Sequence, residues 1–134
     1  MRIVIVADSG AALKTITAGA LELPEAQIVR HCHGHASCAT LLARIVPDLV
    51  LVDEMGWPRL ALRRVSEVRE ALPHALVVVR AAQYDAVWLT DVLRAGASAV
   101  VSATAGAATI GLVLTEVVCE RELEVHEATA ALAA

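Results

Sequence analysis

Five short runs of unbroken aliphatic residues recur at near-regular intervals, at Ile3–Val6, Ile28–Val29, Leu49–Val52, Leu76–Val79 and Ala99–Val101. A strand with one wet face alternates apolar and polar residues, so runs without alternation belong to strands covered on both faces. Between the runs lie segments of helical length and period. Ala11–Leu23 is stopped by Pro24, Ala36–Val46 by Pro47, Leu60–Leu72 by Pro73 and Asp85–Ala95 by Gly96. Pro cannot continue a helix, and Gly takes the left-handed conformation that ends one. A last helix is expected from Ala107 to about Glu124, with an Ala-rich tail after it. The chain thus divides into a domain over residues 1–124 and a tail, or the start of an interdomain linker, over 125–134.

Strands alternating with helices imply a parallel sheet with right-handed crossovers. The expected fold is therefore α/β, a doubly wound five-stranded parallel sheet in the order 2-1-3-4-5. The composition suits it: 57% of the 134 residues are hydrophobic, with no Phe, so the core is built from small and branched aliphatics. That length is one domain. On such sheets ligands bind beyond the carboxyl ends of the strands, where the strand order reverses. Topology alone therefore selects Asp8, Ser9, Asp53, Met55, Ala81 and Ala103.

Charge and cysteine usage narrow the function classes. A net charge of −4 argues against a nucleic-acid surface in this segment. The odd number of thiols, Cys32, Cys38 and Cys119, and an N-terminus that runs straight into a strand pattern favour a reducing, cytoplasmic setting. Between Arg94 and Glu116 lie 21 uncharged residues, near the ~20 that span a bilayer. Gly96, Gly106 and Gly111 divide that stretch into a strand and a helix, so no membrane span is expected.

Four segments together carry a family likeness: Arg2-Ile-Val-Ile-Val-Ala-Asp8, Pro47-Asp-Leu-Val-Leu-Val-Asp53, Leu72-Pro73 and Arg94-Ala-Gly-Ala-Ser98. With them the chain resembles the receiver domains of response regulators, especially the NarL/FixJ type, from Arg2 to about Glu122. The resemblance implies a non-enzymatic module of two-component signalling with Asp53 at the phosphoacceptor position. It also implies an acidic pocket of Asp8, Ser9, Asp53 and Met55, in which Asp8 and Asp53 would hold at most a weak Mg2+. Ser9 stands where the family has a second acidic residue. The switch positions have lost their side-chain chemistry: Ala81 replaces a Thr or Ser, Ala103 a Lys, and Val100 an aromatic residue. Trp57 takes a position usually held by Pro, which alters the loop after Asp53.

These losses weigh heavily. Hydrogen bonds to charged groups contribute about 1.5–3 kcal/mol each, and a nearly complete two-state swing needs about 5.5 kcal/mol. The expectation is an atypical receiver whose phosphorylation-dependent switching is lost or weak. The NarL/FixJ likeness implies a role in regulation, of transcription, as a homodimer or with an attached or partner effector domain. The resemblance also implies a histidine kinase as a partner. The alternative is small-molecule sensing at the altered acidic pocket.

Three further features carry separate expectations. His31, His33, His35 and Cys38 are metal-ligand types, set against a polar loop with incidental thiols. Arg80 interrupts the fourth apolar run. It is either a fixed charge replacing the missing Lys or an Arg reaching a carboxylate at the strand end, pointing away from the face of Ala81. Arg63, Arg64 and Arg69 with Glu67 and Glu70 read as a solvated helix face. Finally, Ile110, Leu112, Val113, Leu114, Val117 and Val118 form a broad apolar band, either core or a docking face.

Overall fold

A computed structural model describes residues 1–8, 10–82 and 85–133. Five strands, β1 (Arg2–Val6), β2 (Gln27–Cys32), β3 (Leu49–Asp53), β4 (Leu76–Ala81) and β5 (Ala99–Ser102), alternate with five helices. These are α1 (Ala11–Ala20), α2 (Ala39–Ile45), α3 (Pro58–Ala71), α4 (Ala86–Ala95) and α5 (Ala107–Ala133). All strand pairs are parallel and the order is β2-β1-β3-β4-β5, as the sequence implies.

The absence of alternation in the strands has the expected cause. In β1, Val4 and Val6 face one apolar layer and Ile3 and Ile5 the other, and both sets are fully buried. β3 and β4 divide the same way, with Val50, Val52, Val77 and Val79 on the first face and Leu49, Leu51, Leu76 and Val78 on the second. The first layer is closed by Leu42, Ala61, Val65, Val68, Trp88 and Val92 from α2, α3 and α4. The second is closed by Ile16 and Ala20 of α1 and by Ile110, Leu114 and Val117 of α5.

Helix ends follow local chemistry. α3 starts with Pro58 at its first position, where no intrahelical N–H is needed. α4 is capped by the Asp85 carboxylate, which accepts from the Trp88 amide at 2.8 Å, and ends at Gly96 with φ 122°. α2 ends on Val46 at φ 52°, a left-handed conformation that β-branched residues rarely adopt. The following Pro47 closes off continuation.

Three elements differ from the sequence reading. β2 runs on through His31 and Cys32, which pair with Ile5 and Val6; an edge strand tolerates polar residues, so its apolar run is shorter than the strand. α2 begins at Ala39 rather than Ala36, because residues 33–37 form a turn closed by the Ala36 amide on the His33 carbonyl at 3.3 Å. α5 continues to Ala133 instead of fading near Glu124. Its Ala- and Glu-rich end has high helix propensity, although residues 122–133 are all exposed. The uncharged stretch divides as expected between the end of α4, β5 and the start of α5. No described helix is long and apolar enough to cross a membrane.

The apolar band of α5 is mostly core. Ile110, Leu114 and Val117 are buried, Val113 and Val118 pack against them, and Leu112 alone of the six is exposed. α1 and α5 cross closely because both carry glycine at the contact. A Cβ on Gly19 would meet the Ile110 Cγ2 at 2.5 Å, and one on Gly111 would meet the Glu22 Cβ at 2.6 Å.

Candidate functional site at the carboxyl ends of the strands

The parallel ladder sets Asp53, the last residue of β3, opposite Arg80 of β4. Partners in a parallel ladder share a face, so the two side chains emerge on the same side of the sheet. The Arg80 Nη1 donates to Asp53 Oδ1 at 3.0 Å, and its Nη2 donates to the Ala103 carbonyl at 2.6 Å. The second Asp53 oxygen, Oδ2, accepts from the Met55 amide at 3.2 Å. Both side chains are largely withdrawn from solvent, with 16% of Arg80 and 7% of Asp53 exposed.

Both sequence readings of Arg80 meet in this geometry. The guanidinium reaches a carboxylate at the strand end, that carboxylate is Asp53 itself, and the other end of the fork touches the backbone of Ala103, where the Lys is missing. Ala81 faces the opposite apolar layer with Val79, and Val100 packs there too. Arg80 Nε, by contrast, is buried with no hydrogen-bond partner among the described residues.

Asp8 lies beyond the end of β1 and is held by imidazoles. The His35 Nε2 is 3.1 Å from Asp8 Oδ1 and 3.2 Å from Oδ2, and the His33 Nε2 is 3.8 Å from Oδ1. His35 also stands edge-on to Trp57, ring centroids 6.4 Å apart. Ser9 lies outside the described residues, and with it the anion-binding reading of Ser9-Gly10.

The loop after Asp53 is a tight left-handed turn. The Trp57 amide donates to the Glu54 carbonyl at 2.9 Å, and the two central residues, Met55 and Gly56, have φ of 55° and 74°. Positive φ at both central positions is the mark of a type I′ turn, and it leaves Trp57 66% exposed at the rim.

The four-residue His/Cys cluster does not assemble. His31 Nε2 donates to the Ala7 carbonyl at 2.7 Å, while Cys38 is buried in the core with Cys32. Only His33 and His35 reach the pocket. Among the described residues, no three His, Cys, Asp or Glu side chains are grouped to hold a metal ion. The family's Mg2+ does not fit the donors present either. Mg2+ demands near-octahedral oxygen ligation, whereas Asp53 already holds a guanidinium and a backbone amide, and Asp8 holds imidazole nitrogens.

Two contributors escaped the sequence reading. Glu54 is 6% exposed; its Oε1 accepts from the Ala82 amide at 2.7 Å, and its Oε2 is buried without a partner among the described residues. Arg64 belongs to the interior rather than to a solvated face. Its Nε donates to the Gly34 carbonyl at 2.8 Å and its Nη1 to Glu67 at 2.8 Å, so it anchors the loop that carries His33 and His35. Arg69 is also half-buried, donating to the Pro73 carbonyl at 2.8 Å and the Gly96 carbonyl at 2.6 Å. The pattern of alternating charges that suggested a wet face does not reveal which cations find backbone acceptors. Arg63 and Glu70 are exposed as expected.

No family model matches the chain, and no curated protein does. Solved structures do. The receiver domain of the response regulator NarL from Mycobacterium tuberculosis superposes with a TM-score of 0.68 at 18% identity, covering 86% of this chain and 93% of that one. A response regulator from Thermotoga maritima gives 0.70 at 20% identity, with 88% and 97% covered. The receiver domain of a modulated diguanylate cyclase from Desulfovibrio desulfuricans gives 0.73 at 14% identity, with 92% and 97% covered. The chain therefore has the fold of response-regulator receiver domains.

Proposed function

We propose that this chain is a signalling module of receiver type whose acidic pocket is neutralised from within, so that it acts through protein contacts and not through phosphoryl transfer to Asp53. The observation that carries this reading is the Arg80–Asp53 pair. A carboxylate nucleophile must present a lone pair to the incoming phosphoryl group, and a cation must offset that group's charge. Here one Asp53 oxygen is tied at 3.0 Å to a guanidinium that is itself fixed on the Ala103 carbonyl. The cation is therefore covalently part of the chain and does not come and go.

The response side is equally fixed. Ala81 and Ala103 offer no hydroxyl or ammonium to a phosphoryl group. The amide of Ala82, just past β4, is already occupied by the Glu54 carboxylate at 2.7 Å. An internal anion and an internal cation thus hold the ends of β3, β4 and β5 together. The module would then carry its signal through a second copy or through an attached or partner effector domain, with transcription control as the context the NarL/FixJ likeness suggests. Ligand sensing at the acidic pocket finds less support, because the Arg80 fork reaches across to Ala103, into the position the missing Lys would occupy. A cavity of about 540 Å3 lies at the opposite end of the sheet, among Val46, Pro47, Leu72, His74 and Arg121.

The test is an NMR titration of the whole chain with Mg2+ and then with beryllofluoride, a mimic of an aspartyl phosphate. The expected result is no concerted shift of resonances around Asp53 and along β4 and β5. A concerted, saturable shift at millimolar Mg2+ would make this a working phosphoacceptor and overturn the reading.

A further inference from the structure

The excursion between β2 and α2 is bounded by two thiols: Cys32 ends the strand and Cys38 is the N-cap residue of the helix. Both are turned into the same core layer, 6% and 4% exposed, and neither is in a disulfide. The two thiols are close enough for each to shift the other's ionisation. A buried free Cys behaves as a small hydrophobe; two in one core layer, at the two ends of a five-residue loop, are placed as a dithiol. The loop between them is pinned from outside by Arg64 on the Gly34 carbonyl, and a Cβ at Gly34 would collide with the Met55 thioether.

We propose that Cys32 and Cys38 form a reversible dithiol–disulfide site that is oxidised by hydrogen peroxide and fastens the base of the loop carrying His33 and His35. The Cys32 thiolate attacks one peroxide oxygen, and the O–O bond breaks. This leaves a sulfenic acid on Cys32 and a hydroxide that takes up a proton to become water. The Cys38 sulfur then attacks the Cys32 sulfur, and the departing hydroxide carries off the Cys38 proton as a second water. Two electrons pass from the sulfurs to the peroxide, and a dithiol reductant reverses the change by exchange.

The two thiols have different parts. The hydrogen bond from Cys38 favours thiolate on Cys32, and the nearby Arg30 adds to the effect; burial opposes both, and the net result brings Cys32 down to about 7. Cys38 keeps the proton and is pushed up, first by that same hydrogen bond and then by burial. Cys32 is thus the attacking sulfur and Cys38 the resolving one. Their small exposure restricts the oxidant to a small uncharged molecule. Because His33 and His35 are inside the closed ring and hold Asp8, the oxidation state reaches the acidic pocket. The inference does not depend on how Asp53 behaves.

The test uses the full chain carrying Cys119→Ser, which removes the exposed thiol as an intermolecular cross-linker. Peroxide is applied at a dose that oxidises Cys119 in the unsubstituted chain, followed by denaturation in an alkylating agent and tryptic mapping. Arg30 and Arg44 bracket both thiols in one peptide, 31–44. That peptide should lose two hydrogens, take up no alkylating group, and regain both sites after reduction. Uptake of two alkylating groups at that dose, or gain of oxygen without loss of the two hydrogens, overturns the proposal. In a second variant, Cys38→Ser, sulfenic acid should accumulate on Cys32 and be trapped by a diketone probe. The first readout stands even if that variant fails to fold.

Discussion

At the scale of single residues, the chemistry turns on what a buried charge is given for company. Asp53 has been withdrawn from water at the end of a buried strand, and Arg80 is what makes that tolerable. Removing one partner of a buried pair leaves the other uncompensated, which costs about 3–5 kcal/mol. Arg80→Ala is therefore expected to lower the unfolding free energy by about 3 kcal/mol, read from urea denaturation. Arg80→Lys should recover only part of it, because an ammonium cannot bond Asp53 Oδ1 and the Ala103 carbonyl in the fixed fork of a guanidinium. Equal stability of wild type and Arg80→Ala would mean that the pair contributes nothing to the fold. Glu54 shows the complementary case: a buried carboxylate whose one oxygen holds the Ala82 amide and so fixes the end of β4.

Among the elements, the tightest constraint is the crossing of α1 and α5. Gly19 and Gly111 let the helices approach until Ile110 and Glu22 occupy the space where a Cβ would be. Alanine has the better helix propensity, by about 1 kcal/mol, so Gly19→Ala would stabilise an isolated α1. In the folded chain the steric term should win. The nearest atoms are the Ile110 Cβ and Cγ2 and the Ala107 carbonyl, none of which is the free end of a flexible chain, and overpacking costs about 1–3 kcal/mol. A lower melting temperature for Gly19→Ala is the expected outcome, and an unchanged or higher one would show that α1 and α5 can separate without loss. The loop after β3 is the other strained element. Met55 at positive φ costs about 1–2 kcal/mol, offset by its amide on Asp53 and by the turn that places Trp57 at the rim.

For the molecule as a whole, the sheet keeps the acidic pocket at its carboxyl end well apart from the cavity at its amino end. The buried residues of α5 end at Val117, and from residue 122 onward the helix packs against nothing described. The folded unit therefore closes before the helix does. Ending the chain after Glu124 should leave the urea midpoint unchanged, since exposed helix without tertiary contacts adds little to global stability. A drop of more than about 1 kcal/mol, beyond the usual range for surface changes, would instead reveal that the overhang folds back or pairs with a second copy.

The sequence by itself determined the architecture. Five unbroken aliphatic runs, each followed by a helix with a Pro or Gly stop, admit few arrangements other than a doubly wound sheet, because burial on both faces and right-handed crossovers act on every unit alike. It also puts Asp8, Asp53 and Arg80 at or just beyond the carboxyl ends of strands, whatever the packing. Only the tertiary structure decided what those residues do to one another. Register placed Arg80 beside Asp53, a relation between positions 27 apart that no local pattern carries. The same holds for Arg64 reaching the Gly34 carbonyl, for the separation of His31 and Cys38 from His33 and His35, and for the burial of Cys32 and Cys38 in one core layer. Periodicity records which face of an element is buried, and that is a sum over many side chains. Which polar group meets which depends on ångström-scale distances between elements, and those are fixed only when the elements pack.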